Sequence, residues 1–167
     1  EQASHDLGLS ILGAVPAVPK PRGGRPVDSE EMAQVVEAFR SIRLNLAHSF
    51  EPGATICITV SSPSPGDGKS LISSNLALSF AEAGYRTLLM DGDTRRGNLH
   101  RTFGSDRRPG LLDYLSTADL PLEGTFRQTS HKNLTLIPCG VRLQHGPELL
   151  GSARMAEMVA RLKSQFE

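Results

Sequence analysis

An α/β fold, with helices covering both faces of a mainly parallel sheet, is predicted by three observations. Residues 56–60 (ICITV), Thr87–Met90 (TLLM) and Leu134–Ile137 (LTLI) are short apolar runs, the pattern of strands buried on both faces. Between the first two, Ile72, Leu76, Phe80 and Ala83 recur at helical intervals and stop at Gly84, which suits a helix C-cap. Strand, loop, helix and strand then fill about 35 residues and form a βαβ unit with a right-handed crossover. Third, 167 residues with 38% hydrophobic content suffice for one sizeable core.

The remaining elements follow in order. Residues 1–27 hold a short apolar run at 9–15 and then Pro16, Pro19, Pro21, Gly23, Gly24 and Pro26, the composition of a leader or linker. Asp28 stands three residues before Glu31, an acidic analogue of a capping box, and Met32, Val35, Val36, Phe39, Ile42, Leu46 and Phe50 continue at helical spacing until Pro52 and Gly53. A domain over 28–167 is therefore expected. An arginine- and glycine-rich stretch, 95–110, precedes a short apolar segment at 111–115. The last helix should place Met155, Val159, Leu162 and Phe166 on one side.

Composition narrows the partners. Eighteen basic residues balance eighteen acidic ones, so no net field draws the chain to nucleic acid, and no nucleic-acid partner is expected. No stretch approaches the roughly 20 apolar residues of a membrane span. Cys57 and Cys139 lack metal-ligand neighbours at short spacing, and His5, His48, His100, His131 and His145 are scattered, which argues against a zinc site.

The chemistry concentrates between residues 61 and 95. The segment SSPSPGDGKS, 61–70, joins the first strand run to a helix. Gly66 and Gly68 permit positive φ and leave room for backbone N–H groups to turn inward around a phosphate chain. The helix N-terminus adds its dipole. The expected cradle is Pro65, Gly66, Asp67, Gly68, Lys69, Ser70 and Leu71, with Lys69 charging the β and γ phosphates and the Ser70 hydroxyl on magnesium. This is the Gly-Lys-Ser core of a P-loop, although Pro63 replaces its first glycine. A dinucleotide-binding turn is the rival, since Gly66 and Gly68 also precede a helix and Asp91 follows about 20 residues on. That motif needs a third glycine where Leu71 stands.

The second strand runs into Asp91, Gly92, Asp93, Thr94 and Arg95. Two carboxylates one residue apart at a strand end can serve magnesium, while one of them orients or deprotonates a nucleophile. Lys69, Asp91 and Asp93 are thus the candidate catalytic set, and Ser70, Asp91 and Asp93 the candidate metal set. Alternatively, one carboxylate only caps the following turn.

Together, ITVSSPSPGDGKS, LLMDGDTRRG and HGPELLGSARM resemble the bacterial tyrosine kinases of capsule and exopolysaccharide synthesis, over about residues 28–167. That resemblance implies a P-loop NTPase-like three-layer αβα sandwich, ATP and Mg2+ as cofactors, and transfer of phosphate to tyrosines of a neighbouring subunit. It also implies that Glu37, Arg40 and Arg43 form an interface strip that joins subunits into a ring. Residues 7–16 resemble the segment after a second membrane helix, so the partners implied are the tyrosine-rich tail of the next subunit and a polysaccharide co-polymerase, at the cytoplasmic face of the inner membrane. The family carries an apolar Walker B strand ending in Asp just after the helix that here closes at Phe166 and Glu167, and later a tyrosine cluster, so the resemblance implies that the domain over 28–167 is incomplete at its C-terminus. Tyr85 and Tyr114 read as packing residues. A partition-type or positioning ATPase, and a catalytically silent ATP-binding assembly module, are the alternative functions. The first of these carries an early lysine in its loop that residues 62–65 do not supply.

Overall fold

The computed structural model describes residues 8, 10–17, 29–51 and 53–167. Asp28 and Pro52, cast as a cap and a stop, lie outside them. The chain divides into two compact units, residues 1–52 and 53–167.

In the first unit, helix α1 spans Ser29–His48 and carries Glu30 and Glu31 in its first turn, where acids oppose the helix dipole favourably. Val35, Phe39 and Leu46 are buried along one stripe, while Met32, Val36 and Phe50, expected on the same stripe, are exposed. Leader residues lie against this helix. Asn45 donates to the Leu12 carbonyl at 2.8 Å, and Gly13 passes so near Ile42 that a Cβ would stand 2.6 Å from Cγ1.

The second unit is built on a three-stranded sheet. Helix α2 is Lys69–Glu82 and strand β1 is Thr87–Met90. Short helices α3 (Leu99–Thr102) and α4 (Leu111–Ser116) follow, then a 3-10 turn at Leu122–Thr125, strand β2 (Arg127–Gln128) and strand β3 (Leu134–Ile137). Helices α5 (Gly146–Leu149) and α6 (Ala153–Leu162) complete it. The strand order is β1-β3-β2, with β1 parallel to β3 from Thr87 beside Leu134 to Met90 beside Ile137, and β2 antiparallel to β3.

Alternation along the strands makes two cores. Ile137 packs with Leu111, Leu112, Leu115, Met158 and Leu162, and Leu88 and Met90 border that cluster. Leu89, Leu134 and Leu136 instead face Ala77, Ala81 and Leu99. Helices on both faces of the sheet give the three-layer α/β sandwich that the sequence predicts. Burying each of the fully enclosed leucines contributes about 2 kcal/mol. On α6 the innermost residue is Met158, which the sequence reading passed over, whereas Val159 is only half-buried and Phe166 lies beyond the helix.

One predicted strand is not formed. Residues 56–60 carry no ladder, and Cys57, Ile58 and Thr59 are exposed rather than buried on both faces. A strand exists through its neighbours' N–H and C=O groups, and no described strand supplies them here. The βαβ unit therefore lacks its first strand, and the parallel pair is β1 with β3. The start of the run is held by a side chain instead: Thr55 donates its hydroxyl to the Lys163 carbonyl at 2.9 Å. Next to it, Glu167 N–H donates to the Arg86 carbonyl at 3.0 Å, and Arg86 N–H returns a bond to the Glu167 carboxylate at 2.8 Å.

Asp113 fixes the C-terminal side of the sheet. Its carboxylate, in a residue 6% exposed, accepts from Gly110 N–H, Val141 N–H and the Arg108 guanidinium at 2.9, 3.0 and 2.8 Å. Asp113→Ala strands these donors and is expected to lower unfolding free energy by about 3 kcal/mol. Urea denaturation measures it, and a change below about 0.5 kcal/mol would contradict this role.

Candidate nucleotide-binding site

The loop before α2 takes its shape from two glycines. Gly66 and Gly68 have φ of +94° and +92°, and a Cβ built on either meets nothing within 4 Å. The conformation rather than lack of space therefore demands glycine. Asp67 closes the turn by accepting from Ser64 N–H at 2.8 Å, so its side chain supports the loop. Gly68 begins α2 without any side-chain cap, which leaves the first N–H groups of the helix without the usual intrahelical partner. Ser70 and Leu71 are exposed at that end, and Pro65 is exposed within the loop.

Lys69 is half-buried and folds back over the loop. Its ammonium donates to Ser62 Oγ at 2.9 Å and to the Ser64 carbonyl at 3.4 Å, and Ser62 Oγ in turn donates to the same carbonyl at 2.8 Å. The sequence reading did not single out Ser62. Its position seven residues before the lysine is the only signal that could have done so.

At the end of β1 the two carboxylates occupy different environments. Asp91 is 3% exposed, and its N–H donates to the Ile137 carbonyl at 2.9 Å, closing the ladder with β3. Its Oδ2 accepts from Leu99 N–H at 3.0 Å and its Oδ1 from Asp93 N–H at 3.3 Å. Burial pushes its carboxyl above the ordinary carboxylate range, against the pull of those backbone N–H groups. Asp93 is exposed, and its Oδ1 accepts from Arg95 and Arg96 N–H at 3.1 and 2.8 Å. Both acids thus cap backbone, the structural role weighed against catalysis, and each keeps further lone pairs. The polar partners of Lys69 lie in its own loop and not at Asp91 or Asp93.

The floor beneath Asp93 escaped the sequence reading. The Cys139 thiol donates to the Asp93 carbonyl at 3.3 Å, and a Cβ on Gly97 would stand 2.4 Å from the Cβ of Cys139. Glycine at position 97 is therefore required by close approach. Tyr85 and Tyr114 pack as expected, the first edge-on to Phe80 at 5.5 Å and the second beneath the Arg154 guanidinium at 4.3 Å. In the other unit, Arg40 and Glu37 form an exposed pair at 3.8 Å, and Arg43 is half-buried. Among the described residues no three His, Cys, Asp or Glu side chains gather as a metal cage, and no helix is long and apolar enough to cross a membrane.

A glycine loop opening into an uncapped helix, with an acid-bearing strand beside it, defines a P-loop nucleotide-binding domain. Residues 58–167 match the family model described as the CobQ/CobB/MinD/ParA nucleotide binding domain, and the chain belongs to that family. Its relatives include the tyrosine-protein kinase CpsD of Streptococcus pneumoniae, 39% identical over 112 residues, which cover 66% of this chain and 48% of CpsD. The tyrosine-protein kinase ptk of Acinetobacter johnsonii is 31% identical over 179 residues, covering 99% of this chain and 24% of ptk. The chain thus spans less than half the length of either relative. Among solved structures, the BceF tyrosine kinase domain superposes with a TM-score of 0.80 at 29% identity, over 99% of this chain and 71% of that one. The resemblance to bacterial tyrosine kinases read from the three motifs is borne out.

The two thiols give a direct check on the floor of the site. Burial pushes the Cys139 thiol up to about 11, while Cys57 is exposed. Thiolate forms only as pH rises through that value, so Cys139 stays a protonated, unreactive thiol at pH 8. A thiol reagent at pH 8 should label Cys57 alone in the folded chain and both cysteines in denaturant. Rapid labelling of folded Cys139 would contradict the packing under Asp93.

Proposed function

We propose that residues 28–167 are the ATP- and Mg2+-dependent domain of a bacterial protein-tyrosine autokinase acting in exopolysaccharide or capsule synthesis, with residues 1–27 as its leader. The observation that carries this reading is the uncapped Gly68–Lys69–Ser70 helix start, in a chain whose β1 is followed by Asp91 and Asp93 and whose relatives bear kinase names. The residues fit a phosphate chain. Gly66 and Gly68 hold the left-handed turns of the loop, and the contacts of Lys69 to Ser62 and Ser64 are ones that phosphate oxygens can replace.

Bound ATP supplies the phosphoryl group, and magnesium the charge that draws electron density from it. Backbone N–H groups from Pro65 to Leu71 position the phosphates, excepting Pro65, which has no N–H and only sets the turn. Lys69 balances their charge, and the Ser70 hydroxyl offers a metal ligand at the exposed helix end. The carboxylates divide the remaining work by exposure. Asp91, buried and bonded through both oxygens, suits an indirect hold on the metal through water. Asp93 is exposed with Oδ2 clear of protein partners among the described residues, so it is the group that takes the proton of a tyrosine hydroxyl. We read the open edge of β1 and residues 56–60 as flanks of the position that a Walker B strand fills in the family.

The tests use a chain that carries acceptor tyrosines. Lys69→Met should weaken Mg-ATP binding at least ~100-fold in calorimetry. Asp93→Asn should lower phosphotyrosine formation ~100-fold or more while affinity changes little. Unchanged affinity in the first variant removes the phosphate site. ATP hydrolysis without phosphotyrosine in the parent chain would favour the positioning-ATPase reading.

Assembly is the second part of the proposal. Glu37, Arg40 and Arg43 lie on one flank of α1, within an arc of about 120°, and would join subunits into a ring that presents a tyrosine-rich tail to the neighbouring site. A co-polymerase region, fused or separate, would hold the ring at the cytoplasmic face of the inner membrane. Glu37 and Arg40 are an exposed pair, which contributes little to folding, so replacing them together with Arg43 by Ala should leave ATP affinity within about twofold and abolish the ring in light scattering. A triple variant that still assembles would remove them from the interface.

A further inference from the structure

Five arginines lie between residues 95 and 108 against a single acid, Asp106. The fold divides them. Arg107 Nε donates to the Gly140 carbonyl at 2.7 Å, and Arg108 pairs with the buried Asp113 carboxylate at 2.7 Å. Those two hold the loops together. Arg95, Arg96 and Arg101 are exposed, and among the described residues no carboxylate or carbonyl engages their guanidinium groups.

These three side chains stand on a fixed base. Arg95 and Arg96 donate their backbone N–H groups to Asp93 Oδ1, and Arg101 N–H donates to the Asn98 carbonyl at 3.0 Å in the turn that opens α3. The loop beneath them is pinned by the close approach of Gly97 to Cys139. Of the three, Arg101 also acts on its neighbour His100. Burial first, and then the charges of Arg107 and Arg101, push His100 below its ordinary value. Positive charge that no acid among the described residues pairs, on Arg95 and Arg96 two and three residues from Asp93 and on Arg101 in the helix that follows, complements a negative partner arriving at that carboxylate.

We propose that Arg95, Arg96 and Arg101 form a docking surface for an acidic peptide segment next to the candidate site. That this segment bears the acceptor tyrosine rests on the kinase reading; the docking itself does not. A peptide is favoured over a lipid surface because recruitment to anionic membranes draws on clusters of about four to eight basic residues, and among the described residues of this stretch three arginines have no bonded partner for the guanidinium. The net charge of the whole chain is zero, which also withholds a long-range field. Arginine suits the task, since its planar fork meets carboxylates two bonds at a time.

The experiment measures fluorescence anisotropy of the full chain, without nucleotide, against three labelled tyrosine peptides of equal length flanked by Glu, Gln or Lys. The Glu peptide should bind about tenfold or more tightly than the Gln peptide, and raising salt from about 50 to 500 mM should erase the difference. Arg95→Glu with Arg96→Glu and Arg101→Glu should remove the preference while Mg-ATP affinity and the circular dichroism spectrum are kept. The milder Arg→Gln triple variant should lose most of it. Equal affinity for Glu and Gln peptides, or a preference surviving both triple variants, overturns the proposal. So does binding to phosphatidylserine vesicles that the variants abolish in the absence of any peptide preference. Docking and chemistry separate cleanly: a Glu peptide that binds and is never phosphorylated leaves the surface standing and counts against the kinase, whereas phosphorylation indifferent to flanking charge overturns the surface alone.

Discussion

Asp91 closes the parallel ladder with its N–H and turns its buried carboxylate onto the N–H groups of Asp93 and Leu99, so one residue ends β1 and begins α3. The turn from β1 into α3 depends on that bend. Asp93 is held exposed beyond it, and its carboxylate gathers Arg95 and Arg96 N–H into a tight turn. Gly97 then passes beneath against Cys139, and Leu99 enters the core packed on α2. Burial of a carboxylate is costly unless hydrogen bonds compensate it. Here the bonds come from backbone that must turn at this place in any case.

The loop before α2 follows the opposite pattern. Its helix start is uncapped, its glycines adopt left-handed φ, and its lysine bends back to a carbonyl and a hydroxyl of the same loop. Each feature leaves donors without strong partners, which weakens the local fold and suits the segment to an anion. α2 supplies the rigidity that the loop lacks, since Leu76, Ala77, Phe80 and Ala81 bury its length. A firm helix behind a yielding loop lets the ligand reorganise a few backbone groups without disturbing the sheet.

Much of this was legible in the sequence where local chemistry alone decides the outcome. The loop at 61–70, the Asp91-Gly92-Asp93 bend, the strands Thr87–Met90 and Leu134–Ile137 and the cap at Gly84 all stand as their residues dictate. Residues 56–60 mark the limit, because an apolar β-branched run states a preference and only a neighbour with free N–H and C=O groups makes it a strand. The stripe on α1 was read too wide, since periodicity cannot say which of Val35 and Val36 is covered. Asp113 was missed because its burial depends on loops that arrive from residues 108–110 and 141. Likewise the sequence shows only that 95–110 is rich in arginine, and the bonds of Arg107 and Arg108 are what divide those arginines into two groups.

The central claim is that residues 65–71 are a phosphate cradle organised by Gly66, Gly68 and Lys69. Amide chemical shifts of the whole chain, followed as magnesium and a non-hydrolysable ATP analogue are added, test it most directly. The account predicts saturable shifts concentrated at Gly66, Gly68, Lys69 and Ser70, smaller ones at Asp91 and Asp93, and none along α6. Saturable shifts centred elsewhere, with the 65–71 amides unmoved, would contradict it.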